Sequence, residues 1–276
     1  MRGGIEIKSS DQVAAMRRAG LVVARALREM RVAVAPGVST ADLDELARSV
    51  LSDEGATSSF LGYDIGSGPF PAVICASVND RIVHGIPSSG EKLADGDLIS
   101  IDFGAIVDGW HGDAAVTVTV GETRREARDM SEACERSLWD GLAVARAGAR
   151  LTDISHAVES SVRSSRRYGI VAGYGGHGIG SQMHMDPHIL NYGRPGKGPR
   201  LVPGMALAIE PMLTLGTRNT RELNDGWTVV TVDGSWAAHW EHTVAILEDG
   251  PWVLTAEDGG RAELAKRGVT VSAHAA

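Results

Sequence analysis

The chain has 276 residues, 43% of them hydrophobic, enough to build a substantial core in one large domain or two small ones. A net charge of -8, with arginines scattered among carboxylates, excludes the basic stripe of a nucleic-acid partner. Two cysteines, Cys75 and Cys134, are too few for a disulfide framework, and with no apolar leader in "MRGGIEIKSSDQ" and no long apolar run the expectation is a cytoplasmic protein without a membrane partner.

Helical spacing runs from Ser10 to Met30 through Val13, Met16, Leu21 and Ala24. It returns from Thr40 to Leu51, behind Thr40 as cap and with Gly55 as stop. Further on, Glu126 to Ala147 predicts a long helix, "AGARLTD" a break, and Thr152 to Arg167 another helix. The two helical passages overlay at a constant offset of 111: Gly37 falls on Gly148, Asp42 on Asp153, Leu43 on Ile154, Gly62 on Gly173 and Tyr63 on Tyr174. That order predicts two similar halves, near 10–120 and 121–255, within a single domain covering 1–276, and 261–276 reads as a frayed tail.

The stretches "AVICASVND", "DLISIDFGAIV", "WHGDAAVTVTV", "MALAIEPMLTL", "WTVVTVDG" and "HWEHTVAILE" are short runs rich in Val, Ile and Thr, bounded by turn residues. Helices clustered apart from hairpin-linked strands predict an α+β fold, a mainly antiparallel sheet backed by helices.

Polar residues inside those strands carry the chemistry. With Asp108-Gly109 as a two-residue hairpin loop, Gly104 pairs with Asp113, and Asp102 shares their face. Such diagonal neighbours lie roughly 7 to 8 Å apart at Cα, close enough for two carboxylates to hold one ion, and Gly104 leaves room for it. Two ionised carboxylates on one buried face need a proton, a cation or solvent. On these two residues alone that choice stays open. Glu210 ends the apolar run in "GMALAIEPML", held extended by Pro211, and Glu241 lies in the next run, "HWEHTVAIL". "GYGGHGIGSQMHMDPH" contains a formal G-x-G-x-x-G, but a predicted helix leads in and Pro187 follows, so a dinucleotide site is set aside. What remains is His177 between two glycines, suited to close backbone approach to a ligand or metal, with His184 further along. One imidazole with four carboxylates suits Mn, Fe, Co or Zn in an open site, and two ions roughly 3.5 to 4 Å apart fit so many carboxylates better than one.

The motifs "VNDRIVHGIP", "IDFGAIVDGWHGD", "GHGIG" followed by "HMDP", "IEPM" and "WEHTVAI" resemble, in order, the series of type I methionine aminopeptidases, from about residue 10 to 255. The resemblance implies a pita-bread fold with two pseudo-symmetric halves and two divalent metal ions (Co, Mn, Fe or Zn). It implies that Asp102 chelates one ion, that Asp113 and Glu241 bridge both, and that His177 and Glu210 complete the second. Glu210 would also shuttle a proton for a bridging hydroxide, while His84 and His184 contact the scissile peptide. Phe70, Cys75, Met183 and Trp227 would form the pocket for a methionine side chain, with Trp240 as a further wall. The implied substrate is the N-terminus of a nascent polypeptide with a small second residue, met near the ribosome by a monomer.

His111, His188, His239 and His242 read as structural or surface residues, and His156 as part of a helix. Ser67 and Gly68 stand where the family commonly has an aromatic or histidine, and Met185 where it usually has an acid, so substrate range stays open. The rival readings are a proline-specific peptidase of the same fold and a binding protein that keeps the fold without catalysis. A calcium domain is argued against by His177, since calcium prefers oxygen ligands.

Overall fold

The structure is a computed structural model and describes residues 4–275. Four long helices lead each half in pairs: α1 (Ser10–Ala33) with α2 (Thr40–Asp53), and α3 (Arg125–Val144) with α4 (Leu151–Ser165). Ser39, not Thr40, caps α2, because its side chain accepts from the Asp42 N–H while the Asp42 carboxylate takes the Ser39 N–H at 2.8 Å. The equivalent Asp153 takes the Arg150 N–H at 2.7 Å at the start of α4. Gly37 and Gly148, before these caps, both have φ of +90°. Leu43 and Ile154 are both fully buried. The sequence repeat is therefore a repeat of capped helix, turn and core contact.

The strands divide into four sheets rather than one, and their pairings among the described residues are antiparallel. Two sheets build the site. In the first, β1 (Ile74–Val78) pairs with β2 (Leu98–Val107), which forms a hairpin with β3 (Trp110–Thr119). The second runs β8 (Pro251–Val253), β7 (His242–Ile246), β6 (Ala206–Ile209), β4 (Gly176–Gly178) and β5 (Met185–Ile189) across its width. Helix α1 lies directly on β3: a Cβ on Gly112 would stand 2.7 Å from the Gly20 nitrogen, so glycine is required for that approach. One apolar cluster joins both halves, from Val23 and Phe103 to Leu138, Leu207 and Val253.

The segment expected to fray is packed instead. It forms α5 (Arg261–Ala265), whose Leu264 is fully buried in the main cluster, and Val271 and Ser272 are buried as well. Among the described residues no helix is long and apolar enough to cross a membrane.

Candidate metal centre

The β2–β3 hairpin has the expected register. Asp108 (φ 51°) and Gly109 (φ 79°) make the turn, and Gly104 pairs with Asp113. Asp102 and Asp113 consequently share a face and interact directly. Gly104 serves a different purpose from the one expected. A Cβ there would meet Ser59 Cβ at 2.8 Å and Phe60 Cε1 at 2.9 Å, so the missing side chain admits the wall of the neighbouring pocket, not an ion.

The second sheet supplies the other donors. His177 on β4 pairs with Ala208 on β6, and Ile209 pairs with His242 on β7, so His177, Glu210 and Glu241 meet at adjacent strand ends. The glycines around His177 admit neighbouring strands: a Cβ on Gly176 would lie 2.2 Å from the Ala208 carbonyl oxygen, and one on Gly178 would lie 2.1 Å from that of Asp186. The close approach predicted for a ligand is thus an approach of β5 and β6. The two sheets are then stitched together. The Glu241 N–H donates to the Ala115 carbonyl at 2.9 Å, and Thr243 Oγ1 both accepts from the Asp113 N–H (3.1 Å) and donates to its carbonyl (2.8 Å).

Asp113, His177 and Glu241 are buried and offer three ligand atoms within 4.8 Å of one another. Glu210 Oε1 lies 3.5 Å from His177 Nε2. His177 Nδ1 lies 3.0 Å from the Gly178 carbonyl, which can only accept, so the proton sits on Nδ1 and Nε2 presents its lone pair. Burial pushes the Asp113 carboxyl up to about 7. Asp102, Glu210 and Glu241 are held well above the carboxylate range by burial first and by the neighbouring charge of Asp113 second. Asp102 Oδ1, Asp113 Oδ1 and Glu241 Oε1 are buried without a hydrogen-bond partner. Orphaned acceptors converging with a free imidazole lone pair fit a divalent cation, which would satisfy them and return the carboxyls to the charged form.

His239 joins this group, contrary to its reading as a structural or surface residue. It is 1% exposed, and its Nε2, without a hydrogen-bond partner, lies 3.5 Å from Glu210 Oε2 and 4.0 Å from Glu241 Oε2. Burial lowers it to about 3, so the ring is neutral. The sequence offered only a faint hint, the two-residue spacing of 239 and 241; that His239 faces Glu210 is decided by the fold.

Beside the carboxylates is a cavity of about 100 Å³ lined by Phe70, Cys75, Met183 and Trp227, together with Phe60 and Ile65. Cys75 pairs with Asp102 across β1 and β2, and burial pushes its thiol well up, so it is an apolar wall. Trp240 is not a wall. Its indole N–H donates to Ser131 Oγ at 3.0 Å, and the ring belongs to the main core. A larger cleft of about 430 Å³ adjoins the cavity, and His84, His177, His184 and Glu210 line both. Met185 lines this cleft, while Ser67 packs beside the Gly226 turn that precedes Trp227. His84 has a φ of 59°, and burial lowers its ring to about 4. His184 Nδ1 lies 2.7 Å from Tyr63 Oη. Of the other histidines, His111 bonds Ser59, His242 bonds Thr255 and His156 bonds Ser160, while exposed His188 lies at the cleft.

A pocket ending on buried carboxylates and a histidine, on this fold, defines a metal-dependent peptidase. The family described as "Metallopeptidase family M24" matches residues 14–248, and the chain belongs to it. Within that family its relatives are methionine aminopeptidases. It is 58% identical to methionine aminopeptidase 1 of Mycobacterium tuberculosis (strain CDC 1551 / Oshkosh) over 90% of this chain and 94% of that one. The figure for methionine aminopeptidase 1 of Bacillus subtilis (strain 168) is 47%, over 90% and 98%. The crystal structure of methionine aminopeptidase from Thermotoga maritima superposes with a TM-score of 0.88 at 40% identity, over 91% of this chain and 99% of that one. The prolidase from Pyrococcus furiosus, at 20% identity and a TM-score of 0.72 over 91% of this chain and 65% of that one, shows the common pita-bread fold alone.

Proposed function

We propose that this chain is a metal-dependent aminopeptidase that removes the initiator methionine from polypeptides whose second residue is small. The observation that carries the reading is the apolar cavity of about 100 Å³ ending on the Asp113, His177 and Glu241 cluster. Cys75 and Met183 supply soft, polarisable contacts for a thioether, and Phe70 and Trp227 supply flat apolar walls. The cavity accommodates one side chain and so selects the residue at the N-terminus.

Two divalent ions, drawn from Co, Mn, Fe or Zn, would be held by Asp102, Asp113, His177, Glu210 and Glu241; the oxygen-rich donor set with a single imidazole supports this range. When bound, they supply Lewis acidity toward the scissile carbonyl and an activated water. The protein's own groups do the rest. Carboxylates at the end of the cavity receive the free α-amine and set the register of the chain. Glu210, with one oxygen toward His177 and the other toward His239, takes a proton and returns it to the leaving amine. His84 and His184, on the wall shared by cavity and cleft, hydrogen-bond the scissile peptide and steady its tetrahedral intermediate. The wider cleft takes the chain beyond the scissile bond.

The same reading makes the substrates nascent chains met near the ribosome, and the enzyme a cytoplasmic monomer; two free, buried cysteines support a reducing compartment. The test is methionine release from a Met-Ala-Ser peptide after chelation and after adding back each metal, beside an Xaa-Pro peptide. Metal-restored cleavage of Met-Ala-Ser alone supports the proposal, and preference for Xaa-Pro would move the enzyme to the proline-peptidase branch.

A further inference from the structure

Tyr63 and Tyr174 occupy equivalent places in the two halves, at the offset of 111 that also relates Asp42 to Asp153. Each stands against a histidine of the opposite half. Tyr63 and His184 have ring centroids 5.1 Å apart, and Tyr174 and His84 are 6.2 Å apart. The two contacts differ in kind: Tyr63 Oη reaches His184 Nδ1 at 2.7 Å, whereas Tyr174 and His84 meet edge to face at 71°. The repeat has been kept at both places, and a hydrogen bond made at one.

The geometry points to Tyr63 as a positioning residue for His184: its phenol donates to Nδ1, fixes the proton on Nε2, and leaves Nε2–H as the donor for the peptide in the cleft. The direction of the bond follows from acid strength. A phenol, with a pKa of about 10, gives up its proton far more readily than a neutral imidazole N–H, and a bare imidazole nitrogen accepts better than a phenol oxygen. A neutral ring free to exchange tautomers would present a lone pair at Nε2 part of the time, and a lone pair repels a carbonyl oxygen. A ring locked by Tyr63 always presents a donor.

Two further contacts make the hydroxyl a fixed point. The Tyr63 N–H donates to the Phe60 carbonyl at 2.9 Å, and the Tyr63 carbonyl accepts from the Phe70 N–H at 2.8 Å, so its backbone is tied on both sides. On the other side of His184, the His177 ring lies at 4.4 Å between centroids and 63° between planes. Hydrogen bond and ring contact together set both the rotation and the tilt of the imidazole. The kinetic consequence rests on the aminopeptidase reading, while the hydrogen bond does not.

The test compares zinc-loaded wild type, Tyr63→Phe and Tyr174→Phe by imidazole proton–nitrogen correlation spectra at pH 8, with steady-state kinetics on Met-Ala-Ser. In the wild type, His184 Nδ1 resonates as a bare acceptor and Nε2 as a protonated nitrogen. In Tyr63→Phe the two signals move toward each other as tautomers mix, and in Tyr174→Phe they stay where they were. Loss of the bond lowers kcat roughly tenfold with KM within about twofold, because what is lost is transition-state orientation and not binding. A wild-type His184 protonated on Nδ1 overturns the inference, as does a Tyr63→Phe enzyme with unchanged signals and kcat. If the wild type releases no methionine, the functional reading fails, and the nitrogen signals still decide the role of Tyr63.

Discussion

The backbones of Ala115 and Glu241 exchange two hydrogen bonds, 2.9 Å from the Glu241 N–H and 3.3 Å from the Ala115 N–H. Ala115 sits on β3 and Glu241 just before β7, so this seam joins the sheets of the two halves. It brings the hairpin aspartates against the two glutamates and His177.

Thr243 extends the seam, and its hydroxyl is the checkable part. It is fully buried and satisfies both the N–H and the carbonyl of Asp113. Thr243→Val keeps the shape and leaves those groups unpaired, which costs about 1 to 3 kcal/mol. Urea unfolding reads the loss, and calorimetric metal titration shows weaker binding because Asp113 is displaced. Unchanged values in both would mean that the seam does not hold the site.

The metal-free protein should lose stability as pH rises through neutrality. Asp102, Glu210 and Glu241 have raised folded pKa values, so the native state binds more protons than the unfolded chain until pH passes those values. Asp113, at about 7, completes its share near neutrality. His84, His177 and His239, lowered to about 4, 3 and 3, act oppositely, but their contribution is complete above the unfolded histidine value of about 6.5. Melting temperatures of chelated protein from pH 7 to 9 should fall, and bound metal should abolish the fall by stabilising the carboxylates. A flat profile in the chelated protein would show that these groups are already ionised.

Gly104→Ala tests the pocket wall. The added methyl would stand 2.9 Å from Phe60 Cε1 and 2.8 Å from Ser59 Cβ, so the wall must move into the cavity. Overpacking of this kind costs about 1 to 3 kcal/mol. KM for Met-Ala-Ser should rise several-fold while metal affinity stays near wild type. Lost metal affinity with an unchanged KM would restore the role first read for this glycine, space for an ion.

His239→Phe keeps the ring volume and removes the nitrogen facing Glu210 and Glu241. Groups that orient metal ligands are worth about 10- to 100-fold in affinity or activity, and a loss in that range is expected. His239→Gln, which can donate to the same carboxylate oxygen, should recover part of it. Equal losses in the two variants would assign His239 to packing alone.

Much of this site was legible because its signals are local. Asp108-Gly109 determines the turn, the turn determines the pairing of Gly104 with Asp113, and alternation puts Asp102 on the same face. The helix repeat was legible for the same reason, since a capping carboxylate three residues past the cap is a local bond. Thr40 was taken for the cap because Ser and Thr are adjacent and equally suited, and the backbone settles between them. The ends of the second sheet were decided by tertiary structure. Nothing within "HWEHTVAIL" says that Glu241 will pair with Ala115, that His239 will face Glu210, or that Trp240 will turn toward Ser131 and the core. Gly104, Gly176 and Gly178 were recognised as places that need space, while what fills it, Phe60 and the strands β5 and β6, comes from distant parts of the chain. The sequence by itself determined the donors and their local faces, since turn chemistry, capping and alternation act over a few residues. Only the tertiary structure decided their convergence, because that depends on backbone pairing between segments far apart in the chain.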